Sequence, residues 1–179
     1  MSEPSTMFGQ FHITKEALQD FLQSKVKNKS DYNDWQDWWG HKNSEQIRLL
    51  EQIIDRNTGN AQDFTGVEYM TYDETMEVLV VNNMFLTENY EVMVHVAACW
   101  RGISPYLKGE SKNNFLLIYP YWWGDEEELP VIDLYIEFTN HKSRLLQEVS
   151  PDNMKIIQVF LDENGETLVH EYSKKHGRI

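Results

Sequence analysis

Between Phe115 and Phe138 the chain reads Phe-Leu-Leu-Ile-Tyr-Pro-Tyr-Trp-Trp, then Gly-Asp-Glu-Glu-Glu-Leu-Pro, then Val-Ile-Asp-Leu-Tyr-Ile-Glu-Phe. Two runs rich in β-branched and aromatic residues flank an insert of turn formers and acids, the pattern of a β-hairpin with a wide loop. In the second run Ile132, Leu134, Ile136 and Phe138 alternate with Val131, Asp133, Tyr135 and Glu137, which predicts a strand with one face buried. Pro120 places the first strand at an edge or at a bulge, because proline lacks the N–H a central strand must donate. No Lys or Arg occurs from Asn113 to His141, whereas Asp125, Glu126, Glu127, Glu128, Asp133 and Glu137 are all acidic. Trp122 and Trp123 beside Asp125, Glu126, Glu127 and Glu128 therefore read as a surface for a partner.

The segment before the hairpin reads as helical first and β-rich later. Residues 1–12 look like a loose lead-in. Thr14 can cap a first helix, with Ile13 and Leu18 stapled across it and Ala17, Leu18, Phe21, Leu22 and Val26 on one face. In Asp31 to Gly40, Tyr32, Trp35, Trp38 and Trp39 share a helical face, with Asp34 and Asp37 at its side. That face is either a second partner surface, with Asp34, Asp37 and Trp38 as its contacts, or it packs inward and the acids solvate it. Asn43 and Gln46 then form a capping signature for a third helix through Ile47, Leu49, Leu50, Ile53 and Ile54.

From about residue 67 extended structure is expected. Val67–Tyr72 and Met76–Val81 fit two strands around Asp73-Glu74-Thr75, or else one helix opened by a Thr71 to Glu74 capping box. Tyr90 to Arg101 alternates, with Tyr90, Val92, Val94, Val96, Ala98 and Trp100 on one side, and reads as a central strand. His141 to Val149 is expected to be a short helix stopped before Pro151. Ile156–Leu161 and Glu166–Tyr172 flank Asn164-Gly165, a pair suited to a type I′ turn, and predict a terminal hairpin. Together these imply one α+β domain over residues 1–179, with a helical part at about 14–57 and a β-rich part at about 67–172. The N-terminal helices would pack on one face of a mainly antiparallel sheet.

No catalytic signature stands out. The six histidines, at 12, 41, 95, 141, 170 and 176, include no pair at i, i+2 or i, i+4, so no local metal pair is formed. On a strand His95 and Cys99 would lie about 13 Å apart, too far for proton transfer. Four successive acids lack the alternating ligands and bending glycine of a calcium loop. No P-loop or dinucleotide-binding fingerprint is present, and no cofactor is implied.

Charge narrows the partner. Twenty-nine acidic against 16 basic side chains leave −13, which disfavours nucleic acid and anionic membranes and favours a basic protein. A single cysteine, Cys99, rules out an intrachain disulfide framework. The amino-terminal residues carry no leader pattern and no apolar run would span a bilayer, so a cytoplasmic protein is expected. In size and acidity, and locally at Asp31 to Trp39 and Trp122 to Glu128, the chain resembles the immunity proteins that bacteria carry against secreted toxins, including those of contact-dependent inhibition. The resemblance implies tight, stoichiometric binding to one cognate toxin domain, basic and nuclease-like, over its active site or beside it. An enzyme with a pocket formed only in three dimensions, or a structural or adaptor module, is the alternative; monomer and homodimer are both open.

Overall fold

The structure, a computed structural model, describes residues 4–39, 44–109, 111–120 and 132–177, without the side chains of Trp39 and Gln46. It is an α+β fold on one sheet of β1 (Ser5–His12), β2 (Tyr69–Asp73), β3 (Val78–Thr87), β4 (Phe115–Pro120), β5 (Leu134–Thr139) and β6 (Lys142–Leu146). The order is β2-β3-β1-β4-β5-β6, and every neighbouring pair is antiparallel. The helices are α1 (Lys15–Gln23), α2 (Trp35–Trp39), α3 (Ser44–Gln52), α4 (Tyr90–Arg101) and α5 (Pro151–Lys175).

Alternation along each strand divides the interior into two cores. Met7, Phe11, Leu79, Val81, Leu116, Ile118, Leu134, Ile136 and Phe138 face α1, α2, α3 and α4. Phe8, Phe115, Leu117, Tyr119 and Tyr135 face the other way and pack against Ile157 of α5. In the larger core Phe11 stacks on Trp100, with ring centroids 5.0 Å apart and planes 5° from parallel. The Trp100 indole N–H donates to the Thr65 carbonyl at 2.8 Å, which satisfies its one polar atom in an otherwise apolar setting. Gly9 makes the packing possible: a Cβ there would lie 2.9 Å from both Phe11 and Val81 side-chain carbons.

Several expectations hold. Thr14 caps α1, accepting from the Ala17 amide at 3.2 Å. Residues 69–87 form two antiparallel strands, not a helix. Asn43 and Gln46, proposed to cap α3, lie outside the described side chains.

Others are corrected. The residues taken for a lead-in contain β1, which sits between β3 and β4. Residues 90–101 are a helix, not a strand: the Asn89 side chain accepts from the Glu91 amide at 2.8 Å, and the residues from Val96 to Arg101 are all buried. A helix covered on nearly every side shows no amphipathic period, so its valines imitated a strand. Residues 142–146 are β6, entered by Asn140 and His141 at φ 49° and 59°. The terminal hairpin is α5, where Asn164 donates to the Phe160 carbonyl four residues back, at 3.0 Å. Pro151 begins this helix, at the first position where its missing N–H leaves no bond unmade, with Ser150 as the cap. The N-terminal helices and α4 do share one face of the sheet, as expected, and α5 covers the other. Pro120 ends β4, which is an interior strand and not an edge.

Candidate functional site

The first feature with the shape of a binding site lies between α3 and the start of α4. The apolar residues of α3 and its following turn spread wider than one face can bury: Leu50 is 1% exposed, whereas Leu49 and Ile54 are 54% and 61% exposed. With Ile53 and Tyr90 they form an open groove of about 680 Å³, bounded at the α4 side by Glu88 and Glu91. Scattered surface apolar residues are ordinary, but two large aliphatic side chains over one groove form a contiguous patch of the sort used for recognition.

The groove wall is fixed from behind. Asn89 holds the first turn of α4 through its own side chain and donates from its backbone to Thr87 Oγ1 at 2.9 Å. Tyr90 lies against Trp38, ring centroids 6.2 Å apart. Glu91 Oε1 is 3.1 Å from Arg56 Nη1 and 3.8 Å from His95 Nε2. Carboxylates, one arginine and aliphatic side chains thus share one rim, an arrangement able to bind a partner segment.

Trp38 corrects an expectation. It is 3% exposed and its indole N–H bonds the Asp133 carbonyl, so it supports the groove from within and does not present itself to a partner. The aromatic face of α2 packs inward because Trp35, 4% exposed, buries beside it. Asp34 is likewise engaged: its Oδ2 accepts from Arg101 Nη2 at 2.8 Å. Asp37 remains exposed, with its carbonyl accepting from Gln147 Nε2 at 3.2 Å. Trp122, Trp123, Asp125, Glu126, Glu127 and Glu128 lie outside the described residues. Their described flank, Pro120, pairs with Ser5, and Ser5 pairs with Thr87 just ahead of the groove-lining Glu88.

Arg101 forms a second polar centre. It is 3% exposed, and its Nε donates to Ser143 Oγ at 2.7 Å while the guanidinium carbon lies 3.9 Å from the Tyr32 ring centroid. Burial raises the Tyr32 hydroxyl well above the ordinary phenolic range, against the opposing pull of Arg101. Arg101 Nη1 and Asp34 Oδ1 are both buried without a hydrogen-bond partner. Nothing in the sequence pattern signalled this arginine, which stands at the end of a segment read as a strand.

His95 keeps both ring nitrogens buried without a hydrogen-bond partner. Cys99 is fully buried, donates to the Ala61 carbonyl at 3.3 Å, and has its thiol pushed up to about 12 by burial. A thiol held protonated in this way is a poor nucleophile. His170, within the Glu166–Tyr172 arm of the expected terminal hairpin, is an exposed residue of α5. Among the described residues no group of three or more His, Cys, Asp or Glu could hold a metal ion, and no helix is long and apolar enough to cross a membrane. No protein-family model, curated protein or solved structure matches the chain.

Proposed function

We propose that the chain is an immunity-type protein acting in the cytoplasm, which neutralises a basic, nuclease-like toxin domain by stoichiometric binding. The observation that carries this reading is the α3–α4 groove, where Leu49 and Ile54 are exposed beside Glu88 and Glu91. An apolar floor under carboxylates suits a segment with aliphatic or aromatic anchors flanked by Lys or Arg. The anchors supply affinity by desolvation, and the carboxylates supply register. The net charge of −13 adds long-range attraction that raises the rate of encounter with a cation-rich surface. A nuclease domain offers such a surface, because it must itself attract phosphates. Asp125 to Glu128, with Trp122 and Trp123, are proposed as further contacts for the same partner.

The test is to express the reading frame immediately upstream of this one, alone and together with this chain. The expected result is growth arrest by the upstream product, rescue by this chain, and a one-to-one complex of the purified proteins. Ile54→Asp combined with Leu49→Asp should weaken that complex by at least ~30-fold, the loss typical of a hot spot, and charge reversal at Asp125 to Glu128 should slow association most at low salt. An upstream product that neither arrests growth nor binds would remove the proposal.

A further inference from the structure

The cleft above Arg101 carries an inference independent of the groove. It has a volume of about 420 Å³ and lies between Tyr32–Asp34 ahead of α2, the end of α4, and the β5–β6 turn. We propose that it binds a small zwitterion, an amino acid or a close derivative, with the carboxylate on Arg101 and the ammonium on Asp34.

Two unmet valences lead to this ligand. Asp34 Oδ2 and Ser143 hold the guanidinium in place and leave Nη1 with protons to donate. The same carboxylate keeps Oδ1 free to accept. A buried donor and a buried acceptor on one ion pair are each costly to leave unmade. A simple anion would satisfy Nη1 and be repelled at Oδ1, and a simple amine would do the reverse. A molecule carrying both groups on neighbouring atoms answers both.

The surroundings agree with that choice. Lys27 and Lys142 line the cleft together with Asp31, so both signs are present at its walls, and Lys27 Nζ lies 3.7 Å from Asp31 Oδ1. His141 also lines it, on the turn that leads into β6. The volume falls within the range of small-molecule sites, about 300–1,000 Å³, with ample room for the side chain of an amino acid. Tyr32 supplies an apolar wall over the guanidinium, against which that side chain can lie. Nη1 and Oδ1 are covered in the unliganded chain, so the proposed binding includes an opening of the cleft wall, and Lys142 and His141 of that lining are exposed.

The experiment exposes the folded chain to each common amino acid and reads both thermal stability and the backbone amide signals of Asn33, Gly102 and Ser143. The strongest responder is then compared with its decarboxylated amine and its deaminated acid. The expected result is a concentration-dependent rise in melting temperature with shifts at those three amides. The zwitterion should bind at least ~10-fold more tightly than either half-molecule. Asp34→Asn should abolish the preference for the zwitterion over the acid. Lys142→Glu, at an exposed position, should weaken binding several-fold without changing the melting temperature of the free protein, which keeps the test informative if Asp34→Asn does not fold. No response to any amino acid, or equal binding of the acid alone, would overturn the assignment.

Discussion

Asn153 of α5 donates its side-chain amide to the Tyr135 hydroxyl of β5 at 2.7 Å. That hydroxyl donates onward to Glu137 Oε1 at 2.6 Å, so a polar chain crosses the apolar contact between the last helix and the sheet. Asn153 is 2% exposed, and solvent cannot replace it. Asn153→Ala should therefore lower the stability by about 1–3 kcal/mol, the penalty for an unmade buried bond, seen as a drop in urea midpoint with an unchanged slope. In a Tyr135→Phe background the same substitution should cost measurably less, because its partner is already gone.

Gly165 distinguishes the helix from the hairpin its neighbours suggest. A Cβ at this position would meet nothing within 4 Å. Gly165→Ala should stabilise the protein by about 0.5–1 kcal/mol, since alanine is the better helix former and restricts the unfolded chain. In a type I′ turn, where this glycine would need positive φ, the same change would destabilise.

Trp38 and Asp37 should separate sharply in denaturant titrations. Trp38→Ala removes a buried indole from behind Tyr90 and should cost about 3–5 kcal/mol. Asp37→Ala changes an exposed side chain and should stay within ~0.5 kcal/mol of the parent. Equal and small effects would mean that Trp38 is not in the core.

Alkaline stability should fall in two stages. Burial raises the Cys99 thiol from an ordinary 9.0 to about 12, and raises the Tyr135 hydroxyl from 10.0 to about 12, with the Glu137 carboxylate adding to the effect. Folding favours the protonated form of both groups. Their contribution is full below the unfolded values and is lost as pH rises through the folded ones. The unfolding free energy should decline from about pH 9 towards pH 12, and Cys99→Ala should move the onset towards pH 10, read from the slope of stability against pH.

What the sequence discloses about the fold depends on how each element is buried. The capping Thr14 and the one-sided stripe of α1 are local signals, and they are borne out. The alternation of β5 is borne out for Leu134, Ile136 and Phe138, but Tyr135 on the other face is buried as well, under α5. α4 defeats the same reasoning, because from Val96 to Arg101 it is buried on every side and tertiary burial erases its period. The true positive-φ pair lies at Asn140-His141, while Asn164-Gly165 is absorbed into a helix whose residues 153, 157, 160, 161, 164 and 168 line up at helical spacing. A favourable turn sequence yields when twenty-five residues of helix have an apolar sheet to pack on. The groove is half legible: Leu49 and Ile54 stand among the apolar residues of the third helical segment, but only the fold tells which of them stay uncovered. Arg101 was not legible, since its partners Asp34 and Ser143 are remote along the chain.

The position of β1 has a consequence for how the protein forms. Residues 5–12 are hydrogen-bonded to residues 78–87 on one side and to residues 115–120 on the other. On a ribosome this strand must wait, unpaired, until residues 78–87 have been synthesised, and for its second partner until residue 120. Such long loops to close imply slow folding by comparison with a helical bundle of this size. Removing those residues would not trim an edge; it would part the sheet into two fragments, β2-β3 and β4-β5-β6, each with a raw border where neighbouring chains could add.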